Sequence, residues 1–202
     1  MIAIIDYGVG NLFSLKSSLK AIGHEAVVTG DRDIIGAADH VILPGVGAFP
    51  DAARKLREAG LFDYVRELAA SGKPLLGICL GMQLLFDRSL EFGEHEGLGL
   101  IPGEVLPIED YISSELDIPH MGWNALKFHK ESALYKDIPE GTHFYFVHSF
   151  AAFGCEKDLS ASTEYGTTIT ASVEKGNVYG TQFHPEKSGE AGLRLLKNFC
   201  EL

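Results

Sequence analysis

The stretch Leu75-Leu76-Gly77-Ile78-Cys79-Leu80-Gly81-Met82 changes from a buried-strand pattern to a helical pattern at a single cysteine. The run Lys73–Cys79 predicts a strand, and the segment from Leu80 to Phe86 predicts a helix that begins without an intervening loop. Glycines stand two positions before and two positions after the cysteine, as a sharp and crowded turn requires. The pattern predicts a strand-turn-helix elbow that presents a thiol at the edge of a sheet.

Strand and helix patterns alternate on the N-terminal side of this elbow. The predicted elements there are strands at Ile2–Asp6, Glu25–Thr29 and His40–Leu43 and helices at Asn11–Ile22, Asp51–Glu58 and Leu61–Ala70, with Asn11 as the N-cap. Such alternation indicates parallel strands with helices on both faces of the sheet.

The C-terminal half predicts a different arrangement, dominated by strands. Its predicted elements are strands at Leu100–Ile108, Ala125–Phe128, His143–His148, Thr168–Val173 and Asn177–Phe183, and a closing helix at Gly189–Phe199. The acidic segments 87–97 and 109–119 are predicted to be surface loops. We therefore expect one α/β domain over residues 1–202, with antiparallel strands in its C-terminal half.

Composition excludes several classes of function. The 202 residues carry 17 basic and 28 acidic side chains, a net charge of −11, which argues against a nucleic-acid partner. The longest nearly apolar run, 74–86, is too short to span a bilayer, and the N-terminus predicts a buried strand rather than a signal peptide. The three cysteines form no CxxC pair, which argues against a disulfide framework or a zinc knuckle. We expect a soluble protein of a reducing compartment, the cytoplasm.

The elbow makes Cys79 a candidate nucleophile. Free cysteines are usually buried structural residues, and this ordinary interpretation applies to Cys155 and Cys200. At Cys79 the strand-to-helix context favours catalysis, because the unpaired N–H groups of a helix N-terminus stabilise a thiolate.

A cysteine nucleophile needs a base, and His184 and Glu186 follow the last predicted strand. In an extended segment, side chains at i and i+2 point the same way, so the carboxylate can hold Nδ1–H while Nε2 faces the thiol. The alternative for a His and Glu so close in sequence is a surface salt bridge. With the elbow upstream, a Cys-His-Glu triad is favoured.

The same chemistry needs an oxyanion hole, and the backbone N–H of Leu80 is one donor. The loop Pro44-Gly45-Val46-Gly47-Ala48-Phe49 supplies others, Val46 and Gly47, because its glycines let an amide turn toward the site. Neither this loop nor Gly8-x-Gly10 completes a dinucleotide fingerprint, there is no Walker A lysine motif, and the histidines form no ligand-spaced set. We expect no cofactor and no metal.

Taken together, these residues resemble the class I (triad) glutamine amidotransferases, and more narrowly the family of glutaminase subunits of imidazole glycerol phosphate synthase. The supporting strings, which extend from Asp6 to Gly189, are Gly77-Ile78-Cys79-Leu80-Gly81-Met82-Gln83, Asp6-Tyr7-Gly8-Val9-Gly10-Asn11, Leu43-Pro44-Gly45-Val46-Gly47-Ala48-Phe49, Pro119-His120-Met121-Gly122-Trp123-Asn124, Tyr145-Phe146-Val147-His148-Ser149 and Gly180-Thr181-Gln182-Phe183-His184-Pro185-Glu186-Lys187-Ser188-Gly189. The resemblance implies a three-layer, flavodoxin-like mixed sheet flanked by helices.

The resemblance also implies roles. L-Glutamine is hydrolysed to glutamate and ammonia through a glutamyl thioester on Cys79, and ammonia passes to a (β/α)₈-barrel cyclase in a heterodimer. The cyclase makes imidazole glycerol phosphate and AICAR from PRFAR in histidine biosynthesis. The implied substrate-binding residues are Gln83, Glu91, Ser149 and Phe150, where family members often carry Tyr at the last position. The implied interface residues are Asn11, Trp123, Tyr145 and Lys187.

Other interpretations stay open at this stage. Trp123 and Tyr145 suit core packing as well as an interface. A stand-alone cysteine hydrolase would share the elbow and the Cys-His pair, and a non-catalytic scaffold would share the fold. Amidotransferase subunits for anthranilate, GMP or carbamoyl phosphate synthesis would share the elbow but lack the Met121-Gly122-Trp123-Asn124 string. The resemblance further implies that the loop from Pro44 to Gly47 rearranges before activity appears, so the isolated chain is expected to be nearly inactive.

Overall fold

The computed structural model describes all residues, 1–202. Its six α-helices are α1 (Leu12–Ala21), α2 (Arg32–Ala37), α3 (Phe49–Glu58), α4 (Phe62–Ala70), α5 (Leu80–Gln83) and α6 (Gly189–Cys200). Its fourteen strands are β1 (Ile2–Ile5), β2 (Ala26–Thr29), β3 (His40–Leu43), β4 (Leu75–Ile78), β5 (Phe86–Ser89), β6 (His95–Glu96), β7 (Ile101–Pro107), β8 (His120–Ala125), β9 (Lys127–Phe128), β10 (His143–His148), β11 (Phe150–Phe153), β12 (Leu159–Glu164), β13 (Thr168–Lys175) and β14 (Val178–Thr181).

Eight strands form the central sheet, in the order β2-β1-β3-β4-β14-β13-β12-β9. Neighbouring strands run parallel from β2 to β14 and antiparallel from β14 to β9. The parallel strands are apolar because helices cover both of their faces. The predicted mixed sheet, parallel in the first half and antiparallel in the second, is confirmed.

Alternate residues of the parallel strands enter two separate cores. Ala3 and Val41 belong to a core that also contains the buried sides of α3 and α4. Ile4 and Ile42 belong to a second core with α1 and α6. Successive side chains of a strand point to opposite faces, so each strand anchors both helical layers and fixes where its C-terminal end lies.

Two smaller sheets stand beside the central one. β8 and β10 form an antiparallel ribbon in which Trp123 pairs with Tyr145 and His120 pairs with His148. The other four strands follow the order β11-β7-β5-β6. Only Ser149 separates β10 from β11, so the ribbon and the four-stranded sheet meet at this residue.

Several local predictions are wrong. The helix predicted from Leu80 to Phe86 ends at Gln83, because the chain then pairs with β7 as β5. The segment 87–97 is not a simple surface loop, since it contributes to β5 and β6 and buries Ser89 and Glu91. The strand predicted at Ala125–Phe128 is divided between the end of β8 and the short β9.

Other elements were not predicted at all. They are α2, β11, β12 and most of β8. β12 reads Leu159-Ser160-Ala161-Ser162-Thr163-Glu164, and its small polar residues give no apolar alternation although most of them are buried. The segment 109–119 has no strand, as predicted, and no helix of the structure has the length and apolarity needed to cross a bilayer.

Candidate active site

The site is built on the turn between β4 and α5. Cys79 has φ 54° and ψ −113°, a conformation that a non-glycine residue adopts only under constraint. Its backbone N–H donates to Thr181 O at 2.7 Å, which ties the turn to the end of β14. The predicted elbow is therefore present, with the strain that the sharp turn implies.

Close packing of glycines holds this turn in place. A Cβ atom at Gly81 would lie 1.9 Å from Leu43 O, and one at Gly77 would lie 2.6 Å from Gly81 O. A Cβ at Gly45 would lie 2.6 Å from Gly81 N, so the loop after β3 rests directly on the elbow. Glycine is required at these positions because the backbones approach within van der Waals contact.

His184 and Glu186 come together just beyond β14. Nδ1 of His184 lies 2.8 Å from Oε1 of Glu186, and both side chains are 3% exposed. The extended conformation predicted for this pair is wrong, because Pro185–Lys187 forms a 3₁₀ turn. The turn nonetheless brings the carboxylate to Nδ1, as expected, and Glu186 Oε2 is buried without a hydrogen-bond partner.

The environment favours a protonated imidazole. Burial lowers the pKa of His184, but hydrogen bonds with Cys79 and Glu186 and the attraction of their negative charges outweigh burial and raise it to about 10. α5, which begins directly after Cys79, has only four residues. The His184 imidazolium is a counter-charge for a Cys79 thiolate.

One cavity of about 320 Å³ joins most of the predicted site residues. Its lining includes Val46, Gly47, Cys79, Leu80, Gln83, Glu91, Ser149, Phe150, His184 and Lys187, together with Pro119, Val147 and His148. Glu186 lies behind His184 and lines a second, very small cavity with Asn11. The volume suits a small polar molecule of amino-acid size. No cluster of three or more His, Cys, Asp or Glu side chains is arranged to hold a metal ion.

The predicted oxyanion-hole residues supply free donors. The backbone N–H groups of Val46, Gly47 and Leu80 donate no hydrogen bond within the chain. Gly47 has φ +93° and nothing within 4 Å of a Cβ position, so the loop faces open space at this residue. An unpaired N–H beside a cavity is the group that stabilises a developing oxyanion.

Side chains hold both ends of this oxyanion loop, Pro44–Phe49. The buried Tyr7 hydroxyl donates to Pro44 O at 2.7 Å. At the other end Glu91 Oε2 accepts from Phe49 N at 2.7 Å, and this N–H is the first of α3. Burial raises the pKa of Glu91, and the hydrogen bond from Phe49 opposes that rise. The carboxylate caps a helix that has no side-chain cap of its own at Ala48.

Comparison with known proteins agrees with this geometry. The profile of the family described as "Glutamine amidotransferase class-I" matches residues 3–202. The chain belongs to this family. It is also 50% identical over 202 residues to the imidazole glycerol phosphate synthase subunit HisH of Moorella thermoacetica, covering 100% of this chain and 94% of the relative. The HisH subunit of Oceanobacillus iheyensis is 49% identical, with 100% and 99% covered.

These relatives place the chain, within the amidotransferases, in the family of imidazole glycerol phosphate synthase HisH subunits, as the sequence strings predicted. Solved structures support the fold at much lower identity. A glutamine amidotransferase crystal structure gives a TM-score of 0.76 at 21% identity, covering 100% of this chain and 98% of that one. A chain of the PurLQS structure from Thermotoga maritima gives 0.76 at 20%, covering 99% and 97%.

The predicted interface residues gather around the turn that carries His184. Tyr145 O accepts from His184 N at 3.0 Å, and Tyr145 N donates to Ser188 Oγ, also at 3.0 Å. The ammonium group of Lys187 lies 5.9 Å from the Tyr145 ring, and the Trp123 and Tyr145 rings are 6.0 Å apart. Trp123 is 54% exposed, so core packing does not explain it. Asn11 begins α1, but its side chain makes no cap hydrogen bond there, contrary to the sequence prediction.

Sequence reasoning missed a pair of buried histidines beside the cavity. His148 Nδ1 donates to Phe150 O at 2.8 Å, and His148 Nε2 lies 3.0 Å from His120 Nδ1. Burial lowers the pKa of both imidazoles, that of His148 to about 3. A spacing of 28 residues gives no local signal, and only the β8–β10 register brings the two rings together.

Tyr7 and Gln182 were also missed as site residues, although both occur in the strings quoted above. In the sequence, Tyr7 looks like part of the glycine turn that follows the first strand. Gln182 lies at the end of a predicted apolar strand. A polar side chain that is buried in an apolar segment needs a hydrogen-bond partner. A polar residue in an apolar segment is therefore the sequence feature that could have indicated a site.

Proposed function

We propose that the chain hydrolyses L-glutamine to glutamate and ammonia as the glutaminase subunit of an imidazole glycerol phosphate synthase. The observation that carries the proposal is that Cys79, on a strained elbow, and His184, held by Glu186, line one cavity with free backbone donors. Residues 1–202 act as one amidotransferase domain. The three cysteines are free, which suits a nucleophilic thiol in the cytoplasm.

The first half of the reaction forms a thioester. The Cys79 thiolate attacks the side-chain carbonyl carbon of glutamine, and the N–H groups of Leu80 and the oxyanion loop receive the charge on oxygen. His184 then gives its Nε2 proton to the nitrogen as the C–N bond breaks and ammonia leaves. Glu186 keeps Nδ1–H in place, so that Nε2 is the nitrogen that exchanges the proton.

The second half returns the enzyme to its starting state. Neutral His184 removes a proton from water, the resulting hydroxide adds to the thioester carbonyl, and the C–S bond breaks. Glutamate leaves, and the thiolate and the imidazolium are restored. Each turnover therefore consumes one water and releases one ammonia, with no net change in the protein.

Polar groups around the cavity fit the two charges of the amino acid. Glu91 offers a carboxylate to the α-ammonium group. The Ser149 backbone N–H and hydroxyl have no partner in the chain and suit the α-carboxylate, while its carbonyl is used by Ile108 N. Phe150 contributes its ring and a carbonyl that is occupied by Gln83 Nε2 at 3.0 Å. A hydroxyl at position 150 is therefore not needed for the contacts assigned here.

We further propose a (β/α)₈-barrel cyclase as partner in a heterodimer. Exposed Met121 and Trp123 lie beside Tyr145, which supports the turn of His184, and Asn11 and Lys187 complete this surface. Large exposed apolar side chains next to a site mark a protein interface. Ammonia formed at Cys79 passes to the cyclase, which combines it with PRFAR to give imidazole glycerol phosphate and AICAR for histidine biosynthesis.

The test compares glutamine and ammonia as nitrogen sources in the complex with a barrel cyclase. Cys79→Ala should abolish the glutamine-dependent rate and leave the ammonia-dependent rate unchanged. Cys155→Ala is the matched control, a buried thiol bonded to Thr170, and it should keep both rates. Equal loss of both rates in Cys79→Ala would mean that Cys79 is structural. Full glutaminase activity of the chain without the cyclase would favour a stand-alone hydrolase.

A further inference from the structure

Gln182 contacts the sulfur of Cys79 but belongs to none of the roles assigned above. Its side chain is fully buried, and Nε2 lies 3.7 Å from Cys79 Sγ, within hydrogen-bond range for sulfur. We propose that Gln182 donates a hydrogen bond to the Cys79 thiolate and so sets both its charge state and its direction. This inference rests on Cys79 being the nucleophile of the proposed function.

A chain of amides fixes which end of Gln182 faces the sulfur. Gln83 Nε2 donates to Phe150 O and to Gln182 Oε1, each at 3.0 Å. A backbone carbonyl only accepts, so the Gln83 amide must turn its nitrogen toward it, and this nitrogen then selects the oxygen of Gln182. The remaining group of Gln182, its NH₂, is left for Cys79. The donor at the sulfur is therefore imposed by three consecutive hydrogen bonds.

The surroundings of the sulfur make this donor important. The other hydrogen-bond partner of Cys79 Sγ outside the triad is Val147 O at 4.0 Å, an acceptor to which the neutral thiol donates and which disfavours negative charge. A hydrogen bond to an ionised group is stronger than one to its neutral form. Gln182 therefore stabilises the thiolate relative to the thiol, whereas Val147 O favours the thiol.

The reaction uses this hydrogen bond twice. In the resting enzyme the donor holds the sulfur that attacks glutamine. When water breaks the C–S bond of the thioester, the electron pair returns to sulfur, and the same donor stabilises the departing thiolate. The acyl-enzyme has no charge on sulfur, so the hydrogen bond from Gln182 stabilises it less than it stabilises the thiolate. Loss of the donor therefore slows release of glutamate and lowers kcat more than it changes KM.

The test measures the thiol itself as well as turnover. In Gln182→Met and Gln182→Glu, the pH dependence of Cys79 alkylation by iodoacetamide is followed by mass spectrometry of the Cys79 peptide. The midpoint of the rate–pH curve should move to higher pH by about one unit in Gln182→Met, since one pH unit corresponds to a charge-assisted hydrogen bond. Gln182→Glu keeps the shape but places a carboxylate at the sulfur, and its midpoint should move further. Glutamine-dependent kcat in the complex with the barrel cyclase should fall about tenfold in Gln182→Met, with KM nearly unchanged.

Asn198→Leu is the matched control. Asn198 is also a buried amide, but it donates to Leu134 O and Lys136 O, on the α6 side of the molecule. It should lose a similar amount of stability with no movement of the alkylation midpoint. An unchanged midpoint in both Gln182 variants would overturn the proposal. Retained glutaminase activity in Cys79→Ala would instead overturn the proposed function, whatever the alkylation curves show.

Discussion

Replacing Gly81 by alanine tests whether glycine contacts set the position of the nucleophile. The added Cβ would lie 1.9 Å from Leu43 O, whereas an ordinary contact of this kind is about 3.4 Å, so the elbow and the end of β3 must separate by about 1.5 Å. Overpacking of this kind costs about 1–3 kcal/mol or more. For a chain of about 200 residues this corresponds to a fall in Tm of roughly 2–12 °C.

The effect on catalysis should exceed the effect on folding. A displacement of about 1 Å at a reacting atom reduces the rate by about 100-fold. We therefore expect Gly81→Ala to fold and to lose about two orders of magnitude in glutamine-dependent kcat. The ammonia-dependent rate of the complex should stay at the wild-type level, because the cyclase does not use the elbow.

Gly60→Ala is the matched control for backbone strain. Gly60 has φ +69° and nothing within 4 Å of a Cβ position, so alanine there costs only the left-handed conformation, about 1–2 kcal/mol. Thermal unfolding followed by circular dichroism and glutaminase assays in the complex are the measurements. Gly60→Ala should keep full activity. If Gly81→Ala also kept full activity, close packing would not position Cys79 and the reasoning would be refuted.

Three further predictions concern the hydrogen bonds around the site. Glu186→Gln removes one of the groups that raise the pKa of His184, so the His184 imidazole should titrate at lower pH in NMR. Glutamine-dependent kcat should fall about 100-fold or more. An unchanged titration of His184 would contradict the contact assigned to Glu186. Tyr7→Phe leaves Pro44 O without its donor, at a cost of about 1–3 kcal/mol, and should lower kcat through the oxyanion loop; loss of stability at unchanged kcat would make the tether purely structural. In the folded chain the pKa of His148 is lowered to about 3. In the unfolded chain the same imidazole binds a proton below about pH 6.5, so between these two pH values only the unfolded chain is protonated there. The stability contributed by this neutral histidine is complete above about pH 6.5 and is lost as pH falls toward about 3. Wild type should therefore lose about 1.4 kcal/mol per pH unit more than His148→Gln in this range, as measured by urea unfolding, and parallel slopes would refute the assignment.

The elements that define the fold could be predicted because the apolar pattern of each one matches the structure that it forms. β10 was predicted with the observed bounds, His143–His148, and α6 to within one residue, since their apolar periods are unbroken. β12 was missed because its buried residues are small and polar, and only pairing with β13 makes it a strand. α5 was predicted too long because tertiary pairing of β5 with β7 overrides a run of good helix formers.

The candidate site divides in the same way. Cys79, His184 and Glu186 stand in patterns whose geometry follows from a turn, so sequence alone predicted that they would lie together, and their catalytic roles stay a prediction. Gln182 and the pair of buried histidines depend on strand register across distances of up to 103 residues. No local pattern encodes such contacts, because the chain must fold before the partners are neighbours.

The β8–β10 ribbon belongs to neither larger sheet, but Phe144 and Phe146 anchor it in the second core. β8 carries the exposed Trp123 and pairs with β10. β10 ends beside the thiol, where Val147 O lies 4.0 Å from Cys79 Sγ. Tyr145 of the same ribbon accepts from His184 N at 3.0 Å, so the ribbon is also bonded to the turn that carries the imidazole. A protein bound against Trp123 would therefore contact a ribbon whose other strand ends beside the sulfur.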